Sequence, residues 1–97
     1  MSTAVINDAL REQIVIILRR HGVLHAGIFG SFARGAANDS SDIDLLIEFP
    51  PGKTLFDLEA LALDLEGVVG RKVDLITYHA LNPHLRERVL REQVALI

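Results

Sequence analysis

Three aspartates in two apolar segments are the residues of this sequence best suited to chemistry. Asp42 and Asp44 lie two positions apart at the start of one apolar run, and Asp74 lies in the middle of another. In a β-strand, residues i and i+2 point to the same face, so the first two carboxylates would lie side by side. Like charges this close repel each other, and a bound cation would relieve the repulsion. Oxygen ligands suit Mg²⁺ or Mn²⁺, and carboxylates at this spacing can reach the two ions used in phosphoryl transfer.

A purely structural role is the alternative for each carboxylate. Asp42 could cap the loop that precedes it, and Asp44 could face water on an edge strand. Asp74 weakens that alternative, because an aspartate inside an apolar strand is disfavoured by strand propensity and is costly to bury unpaired. If the two strands are neighbours in one sheet, all three carboxylates converge on one patch, which predicts a metal site.

A glycine-serine turn supplies a second candidate feature. Gly30 and Ser31 end a short apolar segment and begin a turn into a helix. Such a turn presents backbone N–H groups and a hydroxyl to an anion, and glycine lets the backbone approach a phosphate closely. Alternatively, the turn is an ordinary one in which Ser31 caps the helix. Arg34 could hold a phosphate, hold a carboxylate or support the loop, and the pair Arg71-Lys72 could contact phosphates or face solvent.

The elements that must position these residues follow from hydrophobic periodicity and from turn residues. The predicted order is a helix over about 4–21, a strand over 23–29, a short helix after Gly30, a strand over 43–49, a helix over about 54–68, a strand over 71–78, a helix from Asn82-Pro83 to about 93, and a short strand or frayed end over 94–97. This order predicts one domain over residues 1–97 with an α/β (α+β) fold. The expected architecture is a small mixed β-sheet with helices packed on one face and the carboxylates on the other face or at one end.

Composition limits the class of protein. The chain has 97 residues, 49% of them apolar, and a domain this small cannot bury all of that surface. We therefore expect part of it to be covered by a partner or by a second copy, as in a homo-oligomer. The net charge of −3 argues against strong nucleic-acid binding, and the lack of cysteine excludes thiol chemistry. No apolar run is long enough to span a membrane, so we expect a cytoplasmic protein.

The helix predicted over 54–68 carries two apolar stripes. The first consists of Leu55, Leu58, Leu61 and Leu65 and should face the sheet. The second lies opposite, between two acidic edges, and consists of Phe56, Ala60 and Leu63. A second apolar stripe on a surface helix indicates a protein–protein interface, unless the C-terminal segment of the same chain covers it.

The motifs taken together resemble a known family, the minimal nucleotidyltransferase (MNT) proteins of the DNA polymerase beta-like nucleotidyltransferase superfamily. The matching segments are Gly30-Ser31-Phe32-Ala33-Arg34-Gly35, Ser41-Asp42-Ile43-Asp44-Leu45-Leu46-Ile47 and Val73-Asp74-Leu75-Ile76. The resemblance covers nearly the whole chain and implies the polymerase beta-like fold with two Mg²⁺ ions, or Mn²⁺ in their place. It implies that Asp42 and Asp44 bind both ions and that Gly30 and Ser31 hold the triphosphate. Asp74 would bind the catalytic ion and help to deprotonate the attacking hydroxyl.

The resemblance also implies a biological role. Many similar proteins are antitoxins encoded beside a HEPN-domain toxin, which is a ribonuclease. Such an antitoxin transfers AMP from ATP to a tyrosine hydroxyl of the toxin and releases pyrophosphate. One alternative is an antitoxin that masks its toxin by binding alone. Another is a nucleotidyltransferase that acts on a small molecule or an RNA end, and nothing in the sequence excludes a nucleoside triphosphate other than ATP.

Overall fold

The computed structural model describes residues 5–97, in which helices and strands alternate around one sheet. The helices are α1 (Asp8–Arg20), α2 (Gly30–Ala33), α3 (Leu55–Val69) and α4 (Pro83–Glu92), and the strands are β1 (His25–Phe29), β2 (Ile43–Glu48), β3 (Val73–Thr77) and β4 (Val94–Ala95). A short 3-10 turn, Tyr78–Ala80, follows β3. The predicted order is confirmed, and the C-terminal segment forms a strand.

The sheet formed by these residues is mixed, with the strand order β3-β2-β1-β4. β2 pairs in parallel with β3, whereas β1 pairs antiparallel with β2 and with β4. Asp44 lies opposite Phe29 of β1 on one side and opposite Asp74 of β3 on the other. The two carboxylate-bearing strands are therefore neighbours, which was the condition for their carboxylates to converge.

α1 and α3 cover one face of the sheet and form the core with it. The core consists of aliphatic side chains from both helices and from three strands, chiefly Ile14, Leu18, Leu61 and Leu65 of the helices and Ala26, Ile28, Ile43, Leu45, Ile47 and Val73 of the strands. Because side chains alternate along a strand, Asp44 and Asp74 point to the opposite face. The burial of the apolar neighbours thus determines where the carboxylates project.

α1 begins later than predicted. The Asn7 side chain accepts a hydrogen bond from the backbone N–H of Leu10 at 2.8 Å and caps the helix, whose first residue is Asp8. Asparagine at this position satisfies an N–H group that would otherwise lack a partner at the helix end. Residue 4, the predicted start, lies outside the described residues.

The opposite face of the sheet is partly covered by the segment that follows β3. Leu46 is fully buried on this face, and the Tyr78–Ala80 turn packs against β2. The Tyr78 hydroxyl donates a hydrogen bond to Gln93 at 3.2 Å, and the Gln93 side chain contacts Gly27 of β1. α4 lies outside the layer formed by α1 and α3, and each of its residues is at least partly exposed.

α3 presents its second apolar stripe to solvent. Phe56 is 86% exposed and Leu63 is 60% exposed. β4 pairs with β1 at the sheet edge, so the C-terminal segment does not cover the stripe. The prediction that Leu55 faces the sheet is wrong, since this residue is 82% exposed. At about 100° per residue, its direction lies about 100° from the centre of the buried pair Leu61 and Leu65.

Candidate active site

The three aspartates come together where β2 and β3 begin. Asp44 and Asp74 are direct partners across the parallel strand pair, and their carboxyl groups are close enough to share a proton in a hydrogen bond. Asp42 precedes β2, and its negative charge acts on Asp44. All three side chains are partly exposed rather than buried. The structure therefore brings the predicted carboxylates into one patch that solvent and ligands can reach.

The electrostatics of this patch centre on Asp44. Partial burial raises the pKa of the Asp44 carboxyl above its ordinary value, and the negative charges of Asp74 and Asp42 raise that pKa further. The positive charge of Arg34 acts in the opposite direction. The protein thus holds these carboxylates together although they repel one another. That arrangement is typical of a site that binds a cation.

Gly30 links the turn after β1 to the carboxylates. Its φ angle is +71°, in the left-handed region, and a Cβ atom at this position would collide with the Asp44 carboxyl group. Only glycine meets both conditions without strain. A group bound at this turn would therefore lie next to Asp44.

α2 begins directly at this turn. Its N-cap is Phe29, which makes no side-chain capping hydrogen bond, so the alternative that Ser31 caps the helix is wrong. Ser31 is the second residue of α2 and is partly exposed. The first N–H groups of a helix have no acceptor within the helix, and here Ser31 carries one of them together with a hydroxyl group. This combination can bind an anion.

Arg34 ends α2 and is exposed. Its positive charge lowers the pKa of Asp44, which places it near the carboxylates. Within residues 5–97, the arginine that donates hydrogen bonds to the loop before β2 is Arg71. Of the three roles considered for Arg34, contact with a phosphate or a carboxylate therefore fits better than support of the loop.

The two basic residues before β3, Arg71 and Lys72, contact different groups, which the sequence did not predict. The Lys72 ammonium group is exposed and lies 3.6 Å from the Asp74 carboxylate. Arg71 is partly buried, and it donates hydrogen bonds to the backbone carbonyl groups of Asn38 and Ser41 at 2.9 and 2.8 Å. The sequence shows only that the two residues are adjacent and both basic. It does not show their contacts, because the partners of Arg71 lie far earlier in the chain.

The donor set can be tested against the divalent cations that the sequence predicts. Within residues 5–97, no three histidine or acidic side chains form a preassembled metal cluster. Asp44 and Asp74 are nonetheless paired, and Asp42 is close enough to influence the pKa of Asp44. The donors are all carboxylate oxygens, as Mg²⁺ and Mn²⁺ require, and their repulsion is incompletely balanced. In chemistry and in charge, these residues fit such a cation.

A groove adjoins this patch at the free edge of β3. It has a volume of about 430 Å³ and reaches Asp74. Its walls come from α3 and from β3, and they include Leu55, Leu58, Glu59, Ala62, Lys72 and Leu75. Because its lining combines apolar and charged side chains, the groove can receive an amphipathic side chain.

The comparison with known proteins begins with family. Residues 12–97 match the family described as Polymerase beta, Nucleotidyltransferase. A candidate protein adenylyltransferase of Methanocaldococcus jannaschii is 46% identical over 90 residues, which are 93% of this chain and 97% of that protein. The protein adenylyltransferase MntA of Thermococcus cleftensis is 39% identical over 75 residues, 77% of this chain and 76% of that protein.

Solved structures show the same architecture. A candidate minimal nucleotidyltransferase superposes with a TM-score of 0.81 at 46% identity, over 89% of this chain and 88% of that chain. The complex of a tri-AMPylated HEPN toxin with an MNT antitoxin from Shewanella oneidensis contains a chain that superposes with a TM-score of 0.72 at 20% identity, over 92% of this chain and 70% of that chain. These likenesses confirm the predicted fold class.

No helix within residues 5–97 is long and apolar enough to cross a membrane.

Proposed function

This chain belongs to the polymerase beta nucleotidyltransferase family, and we propose that it is an antitoxin that transfers AMP from ATP to a tyrosine hydroxyl of a partner HEPN-domain ribonuclease. One observation carries the proposal. Gly30 of the anion-binding turn contacts Asp44, and Asp44 pairs with Asp74, so a triphosphate and a row of carboxylates would meet at one place. The relatives, one named a protein adenylyltransferase and the other a candidate one, support the choice of AMP and of a protein acceptor.

In the proposed reaction, one group of residues binds the triphosphate and another binds the metal ions. The N–H groups at Gly30 and Ser31, with Arg34, would hold the triphosphate, and Asp42, Asp44 and Asp74 would hold two Mg²⁺ ions. Bound Mg²⁺ would neutralise charge on the phosphate oxygens and favour ionisation of the acceptor hydroxyl. The hydroxyl oxygen forms a bond to the α-phosphorus as the bond from that phosphorus to the bridging oxygen breaks. Pyrophosphate leaves with the electron pair, and a carboxylate, Asp74, accepts the hydroxyl proton. Catalysis then consists largely of positioning and charge neutralisation.

The sheet order favours one side of the site for the acceptor. Attack and departure at phosphorus are in line, so the acceptor must approach from the side opposite the pyrophosphate. The turn at Gly30 follows β1, whereas Asp74 lies on β3, with Asp44 on β2 between them. The acceptor hydroxyl would therefore enter from the β3 edge, where the groove beside Asp74 opens. A tyrosine side chain, with an apolar ring and a polar end, suits that groove.

The catalytic part of this proposal is tested by label transfer. The protein is incubated with α-labelled ATP and Mg²⁺, with and without the product of the adjacent gene, beside an Asp42→Asn/Asp44→Asn double variant. We expect label on the partner protein only, and none with the double variant, because the variant lacks two of the three carboxylates. Label on RNA or on a small molecule would contradict the protein acceptor. A tight complex without any label, with ATP, GTP, CTP and UTP all tried, would favour masking by binding alone.

The exposed stripe on α3 is where we expect the partner to bind. Phe56 and Leu63 are large apolar side chains exposed to solvent, and acidic residues flank them on both sides. A complementary partner surface would carry apolar side chains within a basic rim.

Replacing both apolar anchors with charge tests this surface. The Phe56→Glu/Leu63→Glu variant should bind the partner at least about 100-fold more weakly, because it loses two apolar anchors and adds charge to an already acidic rim. Its circular dichroism and melting temperature should stay close to those of the wild type, since neither side chain is in the core. Isothermal titration with the partner measures the loss, with Leu24→Glu, an exposed leucine before β1, as control. Unchanged affinity of the double variant would contradict this interface.

A further inference from the structure

Arg71 joins three segments that build the candidate site. Its Nη1 atom donates to the carbonyl oxygen of Asn38 at 2.9 Å and to that of Ser41 at 2.8 Å. Its guanidinium group also lies over the ring of Phe32, 5.0 Å from the ring centre. Arg71 itself lies two positions before β3, and Asp74 is the second residue of that strand. A single side chain thus contacts the loop before β2 and the helix after β1 from the start of β3.

Two of these contacts, those with Phe32 and with Ser41, adjoin residues of the proposed reaction. Phe32 directly follows Ser31 in α2, and the Ser41 carbonyl belongs to the peptide bond that leads into Asp42. We propose that Arg71 is a positioning residue that holds the carboxylates of β2 in place relative to the phosphate-binding turn. The effect of Arg71 on catalysis rests on the proposed function. The role assigned to Arg71 concerns backbone geometry and does not involve contact with the nucleotide.

The loop that Arg71 contacts also contains local hydrogen bonds. The Asn38 N–H donates to Ser41 Oγ at 2.9 Å, and the Ser40 N–H donates to the Asn38 side chain at 2.8 Å. At its end, the Ile43 N–H donates to the Lys72 carbonyl at 2.9 Å, which begins the β2–β3 ladder. Without Arg71, this turn would lose its two hydrogen bonds to the residue that precedes Lys72, and the Ile43–Lys72 hydrogen bond at the start of the ladder would remain.

The chemistry of this position favours arginine over lysine. A planar guanidinium group can donate to carbonyl groups in its plane while its face stacks on an aromatic ring. Lysine offers a point charge on a flexible stem and can satisfy only part of this set. Lys72 shows the contrast, since it lies exposed beside Asp74 and makes an ion pair with it. The two basic neighbours therefore serve different purposes.

The test compares Arg71→Ala and Arg71→Lys with the wild-type protein, with Arg88→Ala as a matched control. Arg88 is an exposed arginine on α4 that pairs with Glu92. Two measurements do not depend on turnover: Mn²⁺ affinity by electron paramagnetic resonance in the presence of a non-hydrolysable ATP analogue, and hydrogen exchange of the backbone amides over residues 36–42. For Arg71→Ala we expect Mn²⁺ affinity to fall by about 10- to 100-fold, since loss of a group that orients metal ligands has that effect. Exchange over residues 36–42 should accelerate by at least about tenfold, with Arg71→Lys intermediate and Arg88→Ala unchanged.

The outcomes separate this inference from the proposed function. A purely structural role would lower the melting temperature while leaving Mn²⁺ affinity of the folded protein unchanged, and that result would overturn the inference. Wild-type exchange over residues 36–42 in both Arg71 variants would also overturn it. If Arg71→Ala does not fold, Arg71→Lys gives the same comparison. A wild-type protein that transfers no label contradicts the proposed function, whereas the metal and exchange measurements still decide the role of Arg71.

Discussion

Asp44→Asn should abolish nucleotide transfer and at the same time stabilise the metal-free protein. Asparagine has nearly the same shape as aspartate but lacks its negative charge, so a site that needs three carboxylates would lose at least about 10³-fold in rate. The same change removes a negative charge that is partly buried and that is repelled by Asp74 and Asp42, the causes that raise the pKa of Asp44 in the folded protein. Function and stability therefore make opposite demands on this residue.

The gain in stability should depend on pH in a defined direction. A carboxyl group with a raised pKa in the folded state binds its proton more tightly there than in the unfolded chain. Its contribution to stability is thus fully present below the ordinary pKa of 3.8 and is lost as pH rises through the higher pKa of the folded protein. Asp44→Asn should melt at a higher temperature than the wild type at neutral pH. That advantage should shrink as the pH falls through the raised pKa of the folded protein toward 3.8, and it should vanish below 3.8, where Asp44 is protonated in both states.

Melting curves in EDTA from pH 8 to pH 4, together with label-transfer rates in Mg²⁺, measure both effects. Asp39→Asn is the control, because Asp39 is an exposed aspartate in the loop before β2. This control should leave the transfer rate unchanged. If Asp44→Asn melted below the wild type at neutral pH, the carboxylates would not repel each other in the way described. If it kept the wild-type rate, Asp44 would not belong to the catalytic site.

Gly30→Ala is expected to have the second-largest effect. The added Cβ atom would strain the backbone at a φ angle of +71° and would collide with the Asp44 carboxyl group. The backbone strain alone costs about 1–2 kcal/mol of stability. Relief of the collision requires either the turn or Asp44 to move, and a displacement of about 1 Å in a catalytic group can lower the rate by about 10²-fold. We expect a lower melting temperature and a transfer rate reduced by at least that factor.

Gly70→Ala separates strain from collision. Gly70 ends α3 with the same φ angle of +71°, but a Cβ atom there would meet nothing within 4 Å. Its variant should lose similar stability to backbone strain and keep nearly the wild-type transfer rate below its melting temperature. Denaturant unfolding and label transfer on both variants make the comparison. Equal transfer rates in the two variants would contradict a role for the contact between Gly30 and Asp44.

The sequence was most informative about features that repeat along the chain. Alternation in the β2 segment indicated which side chains face the core, and Asn82 followed by Pro83 indicated the start of α4, where Asn82 accepts a hydrogen bond from the His84 N–H. The pairing of Asp44 with Asp74 could be expected only on the condition that their strands are neighbours. Local patterns predict elements and faces well because they depend on residues close in sequence.

What could not be predicted depends on residues distant in sequence. Leu46 points to the carboxylate face, where alternation indicates a polar environment, yet it is fully buried because the Tyr78–Ala80 turn packs against β2. The sequence indicates that the pair Arg71-Lys72 either contacts phosphates or faces solvent, whereas the contacts of Arg71 depend on two carbonyl groups far earlier in the chain. Helical periodicity assigned Leu55 to the core stripe of α3, but the residue points away from the side of the helix that carries the buried Leu61 and Leu65.

The position of Asp44 between an antiparallel and a parallel partner also has a kinetic consequence. Phe29 precedes Asp44 by 15 positions, across α2 and a loop, whereas Asp74 follows Asp44 by 30 positions, across the crossover that contains α3. Contacts that close short loops generally form earlier during folding than those that require a long crossover. The hairpin of β1 and β2 would thus fold while Asp44 is still free of its most repulsive neighbour. A chain emerging from the ribosome would therefore be able to pair β1 with β2 before Asp74 is brought beside Asp44.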